Sequence, residues 1–347
     1  MIMMMMVVVM GCNSGGVGGG AGAAGAAGGG GRGLSGAMME VGRSAENAFY
    51  AFLELVSDVL GLKVTKDTKR SDVGEYFNSL GGKLGEASGE LEKVANEATS
   101  GIDKSDASKN PIRVAVEVAK GVLATLKGHL NSLKDIGDSE KVGVAVSQNQ
   151  GVASAELELK KAYNAFKGIV DTAELEGVAK PKVGDIAVKI DNANNKDGAK
   201  VLAAGANAGA AVGEKAAAIV SSVSGEEILA AIVKSEESDA AVGANATAAT
   251  SALSFAKGGA NAAHLAQDVA LAGSVSGGIA LRSLIKAGKL AAHDNDDDKI
   301  VQSVGISATN KLLVAVENII KKTVKNVLEK VKQEVDKARV PKASGQQ

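Results

Sequence analysis

The chain has 347 residues, 39 basic against 40 acidic side chains, and a net charge of −1. That balance excludes the electrostatic footprint of a nucleic-acid binder. Aromatics make up 2% with no Trp, so the core is built from small and branched aliphatics and offers few anchors for a ligand pocket.

The chain opens with MIMMMMVVVMGC, and Cys12 is its one cysteine. An apolar leader, the small residue Gly11 and then Cys12 read as a bacterial lipoprotein cleavage site. Cleavage there would leave an acylated Cys12, joined to the folded part by the flexible Gly/Ala tract that follows. The leader has no Lys or Arg and is short for a secretion signal, so it reads as incomplete. It is also well below the ~20 apolar residues of a membrane span. The expected division is a signal segment at 1–11, lipidated Cys12 and tether at 12–34, a helical domain at 35–338 and a tail at 339–347.

Ala45, Phe49, Phe52, Val56 and Val59 mark a first helix, and KVTKDTKR at 63–70 a polar loop. Val73, Phe77, Leu80, Leu84, Ala87, Leu91, Val94 and Ala98 then alternate spacings of four and three. That is a heptad stripe, predicting a helix capped by Ser71, ended near Gly101, and paired with the first as a hairpin. Asn110-Pro111 is a helix start, cap then N1 proline, followed by Val114, Val118, Val122, Leu126, Leu130 and Leu133. Residues 153–175 continue helically with Leu157, Lys161, Phe166 and Val170, and 176–198 is a break.

Beyond it, short helices are expected at 199–221, 225–236, 244–271 and 276–291. The longest runs from Ser303 to Ala338 on Leu313, Val316, Ile320, Val324, Val327, Val331 and Val335. Lys321, Lys322, Lys325, Lys332 and Lys337 sit largely off that stripe. With no sustained period-two alternation, the fold class is all-α. The stripes are also compatible with intermolecular seams, which leaves a homodimer open.

Chemical motifs are weak. GAGAAG at 20–25 spells a dinucleotide fingerprint, but no strand precedes it. Asp294, Asp296 and Asp298 alternate like the first ligands of a calcium loop, yet Lys299 replaces the turn glycine and Gly305 the bidentate glutamate. They read as a solvated connection. His129, His264 and His293 lack metal-ligand spacing, and Glu226-Glu227 and Glu236-Glu237 are adjacent and diverge on a helix. Asn245 with Thr247 spells a glycosylation acceptor. No catalytic, cofactor-binding or metal residues are assigned, and no cofactor.

SAENAFYAFLELVSDVLG at 44–61, GEYFNSLGGKLGEASGELEKVA at 74–95, GEEILAAIV at 225–233 and the segments 154–174, 252–292 and 303–339 together carry a family likeness. The chain resembles the variable large proteins, a class of variable major surface lipoproteins of relapsing-fever Borrelia, related to VlsE. The resemblance implies an elongated helical bundle, lipid-anchored on the outer membrane surface, with long N- and C-terminal helices near the membrane. Its implied role is antigenic variation and evasion of host antibody, with Cys12 as the lipid attachment site. Host antibodies and the outer membrane are then the partners; an adhesin for host cells, glycosaminoglycans or serum factors is the alternative. Polarity places the variable segments at 100–110, 136–150, 176–198, 234–243 and 292–299.

Overall fold

The computed structural model describes residues 61–100, 103–147, 150–190, 193–294 and 296–339. Cys12, the tether, the 20–25 fingerprint and the helix expected at 45–59 lie outside the described residues.

The first described helix, α1, is Arg70–Ala98. Its stripe is buried from Val73 to Val94, as its heptad spacing requires. Ser71 is not its cap. Lys69 occupies that position, and its N–H donates to the Asp72 carboxylate at 2.8 Å. The next two N–H groups go to carbonyls of a distant loop, Arg70 to Glu140 and Ser71 to Asp138. Those bonds satisfy the donors a serine cap would have served. The helix ends at Thr99, short of Gly101.

After the single turn α2 (Lys104–Ala107) comes α3 (Pro111–Ser132), capped as expected. Asn110 Oδ1 accepts from the N–H groups of Ile112 at 2.9 Å and Arg113 at 3.3 Å. Its buried face differs from the expected one. Ile112, Val116, Ala119, Leu123, Leu126 and Leu130 are buried, whereas Val114 is 48% and Val118 56% exposed. Successive steps of four drift about 40° each around a helix, so a row begun at Val114 starts in solvent and rotates inward by Leu126. The alternation of four and three holds its heading.

Helix α3 runs antiparallel to α1, with Arg113 Nη2 donating to Asn96 at 2.6 Å and Lys120 paired with Glu92. Helix α4 (Glu156–Leu175) packs on α3 and starts three residues later than expected, with Leu157 62% exposed rather than buried. Here β1 (Ala145–Ser147) intervenes, followed after α4 by the hairpin of β2 (Lys189–Ile190) and β3 (Ala193–Asn194).

The helix expected at 199–221 is broken. A 3-10 turn spans Lys196–Leu202, and α5 is only Gly213–Ser221. Between them Gly205 and Gly209 both take φ of +79°, left-handed backbone that a helix cannot contain. Helix α6 (Gly225–Lys234) forms as expected behind a Ser224–Glu227 capping box. The helix expected at 244–271 is replaced by an irregular run, then α7 (Ala252–Lys257) and α8 (Ala262–Leu265). Thr250 Oγ1 accepts from Thr247 N–H at 2.8 Å and Thr247 Oγ1 from Ala249 N–H at 3.2 Å. Such local bonds offer the backbone a rival to the helix despite the alanine content.

Helix α9 is Ala272–Leu284, and every one of its residues is buried. The helix expected at 276–291 thus starts earlier and stops sooner; Leu290–Ala292 forms β4, parallel to β1 with Ala145 opposite Leu290. Strands of two or three residues carry no readable periodicity. The last helix, α10 (Asp297–Arg339), has 43 residues, about 65 Å at 1.5 Å per residue. It contacts α3, α4, α5, α6, α9, β1 and β4, and its whole expected stripe is buried. The protein is therefore a mostly helical bundle in which α9 and α10 form the shared core.

Candidate functional surface

The acidic run before α10 shows how connections are anchored. Asp294 caps the helix, its Oδ1 accepting from the N–H groups of Asp296 at 3.0 Å and Asp297 at 2.9 Å. Asp297 is buried and accepts from the N–H groups of Val212, Gly213 and His293, tying α10 to the start of α5. Asp298 accepts from Ser147 Oγ at 2.9 Å. Asp296 pairs with Lys299 at 3.2 Å, so the carboxylates point to separate partners, backbone N–H groups for Asp294 and Asp297 and side chains for Asp296 and Asp298. Among the described residues no group of His, Cys, Asp and Glu is arranged to hold a metal ion.

His129 lies against Gly168, where α3 and α4 approach so closely that a Cβ at 168 would sit 2.2 Å from the imidazole. Burial lowers its pKa, partly opposed by Asp171. Glu227 belongs to the α6 capping box, Glu226 lies 3.9 Å from Lys322, and Glu237 accepts from Asn164 at 3.1 Å. The paired carboxylates are thus dispersed. A hollow of about 200 Å³ lies between Lys234, Asp239, Thr250 and Leu271, below the ~300 Å³ at which ligand pockets begin. Among the described residues no single helix is long and apolar enough to cross a membrane.

Two buried arginines, absent from the sequence reading, hold the connections to this core. The Arg70 guanidinium is fully buried and forks onto Asp138 at 3.1 and 3.2 Å. Its Nε donates to Ser283 O at 3.0 Å and its Nη2 to Gly288 O. Burial pushes the Asp138 carboxyl up, but the Ala287 N–H, the Arg70 charge and the Glu140 N–H outweigh it and hold the pKa below its ordinary value. Arg282, on α9, has no carboxylate. Its nitrogens donate to Ala203 O at 2.9 Å and to Ala256 O at 2.8 and 3.0 Å, with a longer contact to Phe255 O at 3.4 Å. Burial alone pushes it down to about 9, so it is charged at neutral pH. For Arg282 the signal was the otherwise charge-free run from Val269 to Ile285, since a cation in such surroundings must find carbonyls; Arg70, among Lys66, Asp67, Lys69 and Asp72, carried no such signal.

What remains outside this scaffold is a surface of exposed connections. The most continuous is 236–250, where only Val242 and Ala246 are buried. Residues 204–211, 179–186 and the turn before Pro111 are also mainly solvent-facing. The 136–147 connection is different: Ile136 and Val142 are buried, and Asp138 belongs to the arginine fork. The lysines of α10 are mostly paired, Lys322 with Glu226, Lys325 with Glu329, Lys332 with Asp336 and Lys337 with Glu334.

A small-residue helical core carrying exposed connections is the architecture of these described residues. Comparison with known proteins gives the family. The Borrelia lipoprotein family matches residues 45–335. The chain is 66% identical to variable large protein 25 of Borrelia hermsii, covering 99% of this chain and 96% of that protein. It is 61% identical to variable large protein 21 of the same organism, over 100% and 96% of the two. The crystal structure of the Lyme disease variable surface antigen VlsE of Borrelia burgdorferi superposes with a TM-score of 0.70 at 24% identity, over 88% of this chain and 99% of that one. The chain belongs to the Borrelia lipoprotein family, among its variable large proteins.

Proposed function

We propose that this protein is an outer-surface lipoprotein antigen of antigenic variation, evading host antibody by changing exposed segments over a constant core. The observation that carries the reading is the division just described: α9 and the α10 stripe are buried, while 236–250 is almost wholly exposed. Substitutions on such a surface usually change stability by within about ±0.5 kcal/mol, so the antigenic face diversifies without unfolding the protein. Relatives named as variable large proteins and a surface antigen of the same fold support the antigen rather than the adhesin.

Anchorage follows from Cys12, acylated after removal of residues 1–11, with 12–34 as the tether, 35–338 as the antigen domain and 339–347 as a tail. This assignment rests on the lipoprotein family and on the order of apolar leader, Gly11 and Cys12. The protein acts by presenting and withholding surface, without a catalytic step.

The test has two arms. Antisera raised against the native protein should lose most binding when the exposed residues of 236–250, 204–211 and 179–186 are replaced together, with the thermal midpoint unchanged. Undiminished binding would overturn the placement of the antigenic face. Separately, palmitate label should vanish in Cys12→Ser, and protease added to intact cells should remove the wild-type protein. Label persisting in the variant, or full protection, would overturn the anchorage.

A further inference from the structure

We propose that the hollow between the end of α6 and the start of α9 binds a small zwitterion, a free α-amino acid. Two helix ends of opposite polarity meet there, α6 closing at Lys234 and α9 opening past Leu271 and Ser274. A helix carries positive partial charge at its N-terminal end and negative at its C-terminal end, so the hollow is dipolar before any side chain is counted.

The start of α9 is short of acceptors. Leu271 holds the cap position and has no side-chain oxygen to offer. The Ala272 N–H donates to Ile186 O at 2.8 Å and the Val275 N–H to Leu271 O at 3.1 Å. Between them, the N–H groups of Gly273 and Ser274 have no acceptor among the described residues. The Ser274 hydroxyl is a third unused group. The residue is 6% exposed, lines the hollow, and makes no side-chain hydrogen bond with any described residue. Buried donors grouped at a helix N-terminus call for an oxyanion or for water.

The rest of the lining decides which oxyanion. Glu236 and Asp239 share the hollow with Lys234. The carboxylate of Glu236 and the ammonium of Lys234 are exposed and make no ion pair with a described residue. Asp239 accepts from the Glu236 N–H at 2.9 Å, which leaves most of its lone pairs free. Two acids against one lysine along the lining disfavour a simple anion such as phosphate. A zwitterion satisfies both halves, its carboxylate on Gly273, Ser274 and Lys234 and its ammonium towards Glu236, Asp239 and the end of α6. At about 200 Å³ the hollow is too small for a drug-sized ligand and holds more than one water, which suits an amino acid with a short side chain. Thr250 lines it as well, so an occupant ties the exposed connection 236–250 to the core.

The test is an amide titration of the full, isotope-labelled chain with L-alanine and with its two halves, propionate and ethylammonium. L-alanine should move the Gly273 and Ser274 amide resonances saturably, at a half-saturation concentration at least tenfold below that of either half. Ser274→Ala should raise that concentration about tenfold, the factor one charge-assisted hydrogen bond carries. Lys234→Gln should raise it too, at an exposed position that does not depend on how the core tolerates a change at 274. Asp239→Asn keeps an oxygen for the Glu236 N–H and should weaken L-alanine while leaving propionate unchanged, with helical content constant by circular dichroism. The absence of a saturable shift, as a hollow holding only water would give, overturns the proposal. So do equal responses to L-alanine and propionate, or a Ser274→Ala response equal to that of the wild type.

Discussion

Asn310 binds the backbone of Val64 with both ends of its amide. Its Oδ1 accepts from Val64 N–H at 2.8 Å and its Nδ2 donates to Val64 O at 3.0 Å, as a neighbouring strand would. Val64 is itself buried, and Asn310 shares the task of fixing the chain's path into α1 with two other α10 side chains, Glu317 at Gly61 N–H and Gln302 at Lys66 O. Asn310→Ala should lose both bonds and leave a buried N–H and C=O unmatched, at a cost of roughly 2 kcal/mol. Amide exchange at residues 62–68 should rise well before that of α10. Equal protection in variant and wild type would show that the pairing contributes nothing.

Arg282 is the most demanding position in the core. Arg282→Met keeps volume but strands the carbonyls of Ala203 and Ala256. Each unsatisfied buried group costs about 1–3 kcal/mol, so urea denaturation should show a loss of roughly 3 kcal/mol. Arg282→Lys, with fewer donors and no planar fork, should recover only part of it.

The Arg70–Asp138 pair sets an acid limit. The folded Asp138 pKa lies below its ordinary 3.8, so its contribution is present above that value and is lost as pH falls through the folded pKa. Asp138→Asn should therefore be less stable than wild type at neutral pH, with the difference shrinking as pH falls below about 4. A difference constant from pH 7 to pH 2 would contradict this.

His129 acts in a higher window. Burial lowers its pKa below 6.5 in the folded state, so the unfolded chain takes up its proton first and stability falls as pH drops from about 6.5 towards the folded value. His129→Gln should flatten that slope. Gly168→Ala drives a methyl into the imidazole and should cost about 1–3 kcal/mol by overpacking.

The long helices were legible because their stripes keep one bearing over many turns, alternating four and three in α1 and repeating three, four, four in α10, and an uninterrupted seam admits one packing face. The first half of α3 was misread at Val114 and Val118 because a row of valines at constant spacing four looks apolar without keeping its bearing. The middle of the chain was hardest. Alanine favours helix locally, but Gly205, Gly209 and the Thr247–Thr250 bonds redirect the backbone, and neither effect has a period. Of the segments expected to vary, 234–243 and the described residues of 176–198 are mostly accessible, whereas polarity could not reveal that Asp138 is committed to a buried arginine. The anchorage was read from Cys12 and its neighbours alone, before the described residues begin.

Both buried arginines bind mainly main-chain oxygens: Ala203, Phe255 and Ala256 for Arg282, Ser283 and Gly288 for Arg70. A carbonyl is supplied by any amino acid, so apart from Asp138 beside Arg70 and Gly258 beside Arg282 these clamps ask for a backbone path more than for particular side chains. A gene segment exchanged for a divergent copy would keep the clamp wherever it kept the path. The carbonyl joints can thus stay closed while the side chains carried by the joined residues change.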